Sequence, residues 1–398
     1  MPNAKDLPHL LQLLDDDSPS VREELSRQLS AYGEDLKTEL ARLNLPPDSA
    51  QRRLLQEMMR EPSRRWLREA WLAWVKGPES LGSLEEAMAL LSEYQTGYVH
   101  PVDLGILLDS LAAEYRLGHK LADPPSLAAF LFKDKGLQGN QNDYFDPRNS
   151  SLVHVLRERR GIPISLSLVY MLVGARLGLS ISGCHFPGHF LARVEDAGRD
   201  YLVDCFNGGC EVDHKVLASS SEQTPWGVQG AIEEAASPHS IVARVLRNLA
   251  KAFEEAKRPD DVALMAELGL MLEREALKLE GTEALASLAS LGAQPLYATG
   301  AVLRSKRWGF KAVVVDFDLS CKAPESWRRR RGAEASAKQP WYHLFVDGTD
   351  QVSYAPEDSL AMDAGPTPVK HPLLEHFFER FERGKHWRNH RPWPGTNS

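Results

Sequence analysis

Cysteine is scarce: Cys184, Cys205, Cys210 and Cys321 are the only four in 398 residues. They are scattered, with no small disulfide-dense module around them, so a disulfide-held scaffold is excluded and a reducing cytoplasm is the simplest setting. Four residues separate Cys205 from Cys210, but no second Cys/His pair stands at zinc-site spacing, and His214 alone does not complete a set. No metal site is expected. Long apolar runs are also missing: the strongly apolar stretch at residues 161–175 falls short of the roughly 18 to 20 apolar residues that span a bilayer. It reads as a buried helix. The opening MPNAKDLPHLLQLLDDD lacks a basic segment followed by an apolar run and a small-residue cleavage site, so no secretion signal is expected. A strong charge of one sign is absent as well, the formal net charge being −8. Residues 290–398 carry 16 Lys and Arg against 12 Asp and Glu, while the remainder carries 31 against 43. The C-terminal part is therefore mildly basic, far from a strongly basic nucleic-acid domain.

What is present is organised in blocks. Residues 7–45 read as two helices, with Leu25, Leu29, Leu36, Leu40 and Leu43 at helical spacing. Ser18 before Pro19 suits an N-cap, and Ser20 with Glu23 fits a capping box. The pattern resembles one HEAT-type repeat, which cannot bury its apolar face alone. A helix rich in Arg and Trp follows and ends at Gly77, its interleaved charge predicting a packing helix with a solvated basic face. Residues 84–135 continue helical, with Leu90, Leu91, Leu104, Leu107, Leu108 and Leu111 as core positions.

Next comes GLQGNQNDYFDPRNSS, whose Gly, Asn, Asp and Pro mark irregular backbone. Asn140, Asp143, Tyr144, Asp146, Arg148 and Asn149 fit two roles here: lining a cleft, or satisfying the backbone of a long loop. Residues 160–209 then read as a helix, a strand ending near His189 and a strand ending near Asp204. Cys/His/Asp enzymes place their nucleophile at a helix N-terminus, where the macrodipole and unpaired N–H groups favour a thiolate. This helix opens with Gly161, Ile162, Pro163, Ile164 and Ser165, and no thiol is among them. Residues 238–280 predict a helical hairpin of about tetratricopeptide length, broken at 258–260. Residues 313–317, 342–346 and 352–354 are short β-branched and aromatic runs separated by turn signals such as Asp347-Gly348, which predicts a small antiparallel barrel or sheet.

Taken together, GNQNDYFDPRNSSLVHVLRERRGIPISLSLVYMLVGARLGLSISGCHFPGHFLARV and YLVDCFNGG resemble the SirB-type transglutaminase-like family of bacteria, over roughly residues 1–280. Residues 294–384 resemble the HspQ/YccV-type module, also called the hemimethylated-DNA-binding domain, through GAVLRSKRWGFKAVVVDFD, QPWYHLFVDG and YAPEDSL. The same pairing of modules occurs in a eukaryotic F-box family. In active transglutaminase-like enzymes a helix-opening Cys attacks a carbonyl, a His accepts its proton and an Asp orients the His. The resemblance puts the His at His189 and the Asp at Asp204, with the Cys position at Pro163 or, shifted by two, at Ser165. Ser165 fits a first-turn hydrogen-bonding role as well as a weak nucleophile. Cys184 and Cys205 are the other thiols to weigh. Cys205 adjoins Asp204, but successive strand residues point to opposite faces.

In the C-terminal module the resemblance implies DNA contacts through Arg304, Lys306, Arg307, Lys311 and residues 328–331. It also implies protease-adaptor behaviour, for which Lys306, Arg307 and exposed Trp308, Trp341 and Tyr342 would contact protein. The modest charge and lack of an evident recognition helix favour protein partners.

The expected fold class is α+β: a mostly helical N-terminal part, a transglutaminase-like (papain-like) core, and a small antiparallel β-barrel. Its expected blocks are HEAT-like helices at 1–83, the core at 84–235, a TPR-like hairpin at 236–285 and the barrel at 290–396. The expected function is a cytoplasmic regulator or adaptor, with a degenerate, non-catalytic cleft for a peptide or protein and a C-terminal module for DNA or proteolytic machinery. Two alternatives stand beside it: a hydrolase or acyltransferase using Ser165 or a relocated thiol with His189 and Asp204, and a DNA-binding protein acting through its C-terminal domain. No cofactor and no membrane partner are expected.

Overall fold

The computed structural model describes residues 4–33, 35–43, 47–96, 103–186, 189–196, 198–212, 235–280, 295–318, 321 and 339–389. They fall into two compact units, one of Met1–Ser110, Phe145–Glu158 and Val242–Leu272, the other of Leu111–Tyr144, Arg159–Ile241 and Glu273–Ser398.

The first unit is helical. Leu25, Leu29, Leu36 and Leu40, spaced to share helix faces, join Leu7, Leu10, Leu11, Leu14, Leu55 and Met59 in one buried cluster. Helix Pro19–Ser30 starts where Ser18-Pro19 predicts, but its second residue is Ser20, so the expected Ser20/Glu23 box has no place to form. A capping box does form at Asp48 and Gln51. It opens helix Ser49–Met58, and a second helix, Arg60–Trp74, follows a break at Met59. The single Arg- and Trp-rich helix of the sequence reading is thus two.

Nor is its basic face wholly solvated. Arg64 is buried and pairs through Nε with Asp261 at 3.0 Å. Asp261 also accepts from Arg258 Nε at 2.5 Å and from the Tyr94 hydroxyl. Burial pushes the Asp261 carboxyl up, but the Arg64 and Tyr94 hydrogen bonds and the Arg258 charge outweigh it and hold the group below the usual carboxylate range. The indoles of this helix are tied in the same way, Trp71 Nε1 to the Leu268 carbonyl at 3.1 Å and Trp74 Nε1 to the Ser83 carbonyl at 2.8 Å. Asp261, Glu267 and Leu268 belong to helix Pro259–Glu280, the second arm of the hairpin whose first arm is Pro238–Glu255. The hairpin therefore packs on the Arg- and Trp-rich helix.

The second unit carries the sheets. Strands β1 (Gln138–Gly139) and β2 (Arg160–Gly161) make a short parallel pair, and helix Pro163–Arg176 starts directly after β2. Strands β3 (Ser180–Phe186), β4 (His189–Asp196), β5 (Arg199–Asp204) and β6 (Cys210–Val212) form an antiparallel meander in sequence order. His189 opens β4 instead of closing the strand before it, a correction of the expected helix-strand-strand order. The helix carries almost no polar surface and is buried along its length, as an apolar run of this kind requires.

The C-terminal strands are β7 (Val302–Ser305), β8 (Lys311–Asp318), β9 (Trp341–Val346), β10 (Val352–Pro356) and β11 (Leu360–Met362), with hairpin β12 (Phe378–Glu382) and β13 (Lys385–Arg388). The first five form one antiparallel sheet in the order β10-β9-β8-β7-β11. Among the described residues no pairing joins β10 to β11, so the module is an open sheet where the sequence led us to expect a barrel. No described helix is long and apolar enough to cross a membrane.

Candidate functional site

His189 and Asp204 come together at the start of β4 and the end of β5. Nε2 of His189 lies 3.2 Å from Oδ1 of Asp204, and both side chains are buried. The contact has ion-pair distance without hydrogen-bond alignment. Asp204 is held by its own turn: Oδ1 accepts from the backbone N–H groups of Phe206 and Asn207 at 3.0 and 3.1 Å, and Oδ2 from the Asn207 amide at 2.7 Å. Three donors on Phe206 and Asn207 make an Asx-type turn that fixes the carboxylate. Asn207 was not singled out in the sequence, although Asp followed three residues later by Asn is the signal that would have found it.

Close backbone packing locks this turn. A Cβ at Gly209, where φ is +71°, would stand 2.3 Å from the Phe132 ring, so only glycine fits there. A Cβ at Gly139 would stand 2.4 Å from the Phe206 ring. Gly139 pairs with Gly161 and the Asn140 N–H donates to the Gly161 carbonyl at 2.8 Å, so the loop runs from the Asp204 turn to the start of the core helix.

At that helix start Pro163 holds the position expected for a nucleophile. Ser165 is buried, and its hydroxyl both accepts from the Ile162 N–H and donates to the Ile162 carbonyl, each at 3.0 Å. The three nearby thiols differ. Cys184 sits in an apolar core between two sheets. Cys205 is fully buried, and that burial pushes its thiol up, with the Ser167 hydroxyl pulling weakly the other way. Cys205 lies in the turn after β5, so the strand alternation assumed for it in the sequence does not extend that far. Cys210, which sequence reasoning treated as an ordinary thiol, is exposed and is the cross-strand partner of Asp204. Burial and the Asp204 charge push its thiol up too. A thiol raised in this way is a poor nucleophile at neutral pH.

The polar loop divides between the units. Asn140, Asp143 and Tyr144 belong with the core: Asn140 Oδ1 accepts from the Asp143 N–H at 3.2 Å, and the Tyr144 ring lies 6.1 Å from that of Phe206. Asp146, Arg148 and Asn149 lie in the helical unit on the turn Pro147–Ser150. There Asp146 caps the turn and accepts Arg148 Nε at 2.8 Å; burial opposes ionisation, but these bonds hold the carboxyl low. Asn149 is buried.

In the C-terminal module Lys306, Arg307 and Trp308 form the exposed tip between β7 and β8, Trp308 being 72 % exposed with the Arg307 guanidinium 4.8 Å over its ring. Trp341 and Tyr342 correct the sequence expectation: they are 2 % and 0 % exposed. Both start β9, a strand buried along its whole length, and Tyr342 donates to the Glu357 carboxylate at 2.5 Å. Neither can meet a partner. Residues 328–331 lie outside the described residues. Among the described residues no cluster of three or more His, Cys, Asp or Glu is placed to hold a metal ion.

Comparison with known proteins follows this division. Residues 101–247 match the Transglutaminase-like superfamily, and residues 295–385 match "Hemimethylated DNA-binding protein YccV like". A UPF0162 protein of Pseudomonas aeruginosa is 36 % identical over 197 residues, 46 % of this chain and 71 % of the relative. A UPF0162 protein of Xylella fastidiosa is 35 % identical over 161 residues, 38 % of this chain and 57 % of the relative. The F-box only protein 21 of Homo sapiens is 23 % identical over 353 residues, 70 % of this chain and 55 % of that protein. The chain thus spans little more than half the length of the last two. No solved structure matches.

Proposed function

We propose that this chain, which belongs to the UPF0162 family, uses its transglutaminase-like core to bind a peptide or protein segment without turning it over, as a cytoplasmic regulator or adaptor. The observation that carries this reading is a buried His189–Asp204 pair with no reactive thiol beside it. Pro163 has no side-chain nucleophile, and the Ser165 hydroxyl is engaged at both its donor and acceptor sites by Ile162. Cys184 and Cys205 are buried, and burial with the Asp204 charge pushes the Cys210 thiol up. A general base without a nucleophile to activate gives orientation and hydrogen bonding, not acyl transfer.

The C-terminal module supplies the second contact. Lys306 and Arg307 beside exposed Trp308 offer phosphate contacts and a stacking ring, which supports DNA as its partner alongside the proteolytic machinery.

A random peptide library panned on the full chain tests the first part. Selected peptides should bind about tenfold or more weakly to His189→Ala, roughly 1.4 kcal/mol, and remain intact by mass spectrometry after long incubation. A peptide cleaved or transamidated by the wild type but not by His189→Ala would replace binding by enzymatic turnover. For the second part, fluorescence anisotropy with a duplex methylated on one strand should show affinity falling steeply with salt, and less steeply in Lys306→Gln/Arg307→Gln. Salt-independent behaviour would exclude the duplex as the partner.

A further inference from the structure

Two sheets of the second unit share one buried core. On the C-terminal sheet Val302 pairs with Val313 and Val313 with Phe345, one row across β7, β8 and β9. These residues and Val315 share a single buried cluster with Cys184 on β3, Leu191 on β4, Leu202 on β5 and Val212 on β6. The other face of the same C-terminal sheet has its own core, built on Leu303, Ala312, Val314, Leu344 and Val346. Both faces of the sheet are therefore buried, and one of them is buried against the transglutaminase-like strands.

Alternation decides which side of those strands is covered. His189 and Leu191 are two residues apart on β4, as are Leu202 and Asp204 on β5, so each pair shares a face. Register agrees, because Leu202 pairs with Val212 and Asp204 with Cys210. The core helix lies on the opposite face: Gly174 meets the Ile181 side chain, and Ile181 pairs with Val194, out of phase with Leu191. The His–Asp pair is thus on the side that the C-terminal sheet takes.

We infer that the C-terminal module is the cover of the His189–Asp204 face, and that a ligand reaches the pair when the two sheets part. For its functional consequence this rests on the reading of the pair as a binding site. Opening at Leu191, Leu202 and Phe345 would expose the face as a whole, because packed sheets separate along a shared core and do not deform smoothly. A ligand for the pair then binds with an affinity reduced by the fraction of open molecules, and a ligand that holds the C-terminal module docked weakens it further.

The test is chemical access to His189 in the full chain. Diethyl pyrocarbonate modification is followed by mass spectrometry, with exposed His9 as internal reference. Phe345→Ala thins the shared core, and Leu344→Ala, the next residue on the opposite face, thins the other core by a comparable cavity. Modification of His189 should rise fivefold or more in Phe345→Ala and stay near the wild-type rate in Leu344→Ala. Equal rates in all three proteins, or an equal rise in both variants, would overturn the proposal. Should Phe345→Ala not fold, wild-type hydrogen exchange at low urea decides: β4, β5 and β7 to β9 should become accessible to the reagent and exchange in one step below global unfolding. Exposure of β7 to β9 with His189 still protected would count against it. The reagent needs no peptide, so reactive His189 without peptide binding sinks only the binding reading.

Discussion

The Asn207 amide donates to Asp204 Oδ2 at 2.7 Å while the Asn207 and Phe206 backbones hold Oδ1, so the carboxylate facing His189 is positioned from within its own turn. Asn207→Ala removes one hydrogen bond to a buried carboxylate. The expected loss is about 1.5–3 kcal/mol in urea unfolding, with a smaller loss in Asn207→Asp only if the new acid is protonated. A change below the error of the measurement would mean that the backbone donors alone suffice.

Asp261 in the helical unit binds buried Arg64 at 3.0 Å. Asp261→Ala removes the buried partner of that guanidinium and leaves it only the exposed carboxylates of Glu61 and Asp260, so the expected cost is about 1–3 kcal/mol, less than for a fully stranded buried charge. The double variant with Arg64→Met should recover a large part of the loss, and equilibrium unfolding of the three proteins reads it directly.

His386 gives a pH signature. Burial, then the Lys311 charge, lowers its imidazole to about 4, and its Nε2 accepts the Val369 N–H at 3.0 Å, which a protonated ring cannot do. The folded value lies below that of the unfolded chain, so the stabilisation is complete above pH 6.5 and is lost as pH falls towards 4. Up to about 3 kcal/mol is at stake across that window. Melting temperature at pH 7 and pH 5 should differ in the wild type, and by much less in His386→Gln.

Gly300 has φ +86°, and a Cβ there would stand 1.9 Å from the His386 carbonyl oxygen. The Gly300 carbonyl also accepts the His386 N–H at 2.9 Å, so the two backbones cannot move apart without losing that bond. Gly300→Ala should cost more than about 3 kcal/mol, combining left-handed strain with a backbone clash. Hydrogen exchange should localise the damage to β12 and β13.

Thiol labelling separates the cysteines. Cys210 should react with iodoacetamide in the native protein, slowly at pH 7 and faster as pH rises, because its thiol is pushed up. Cys205 should label only on unfolding, and Cys184, which lies in the core shared by the two sheets, when those sheets part. Rapid labelling of Cys205 at neutral pH would revive the relocated nucleophile.

Much of this was legible in the sequence for local reasons. The leucines at 25, 29, 36 and 40 form the core they predict, Ser18-Pro19 starts its helix, and the β-branched runs at 313–317, 342–346 and 352–354 are strands. Where reading failed, an end or a face was in question. Trp341 and Tyr342 looked like surface aromatics because composition does not say that a strand is buried on both sides.

That His189 and Asp204 should come together was expected from the family resemblance, and the absence of a thiol at the helix start is read directly from the residues. Which way the pair faces is not. The unbroken run Ala312, Val313, Val314 and Val315 requires a strand covered on both faces, but a run carries no address for its partner. Only the tertiary structure sets Leu191 and Leu202 against Phe345. That contact joins residues more than a hundred positions apart, and its strength comes from shape and apolar area, which no local pattern encodes.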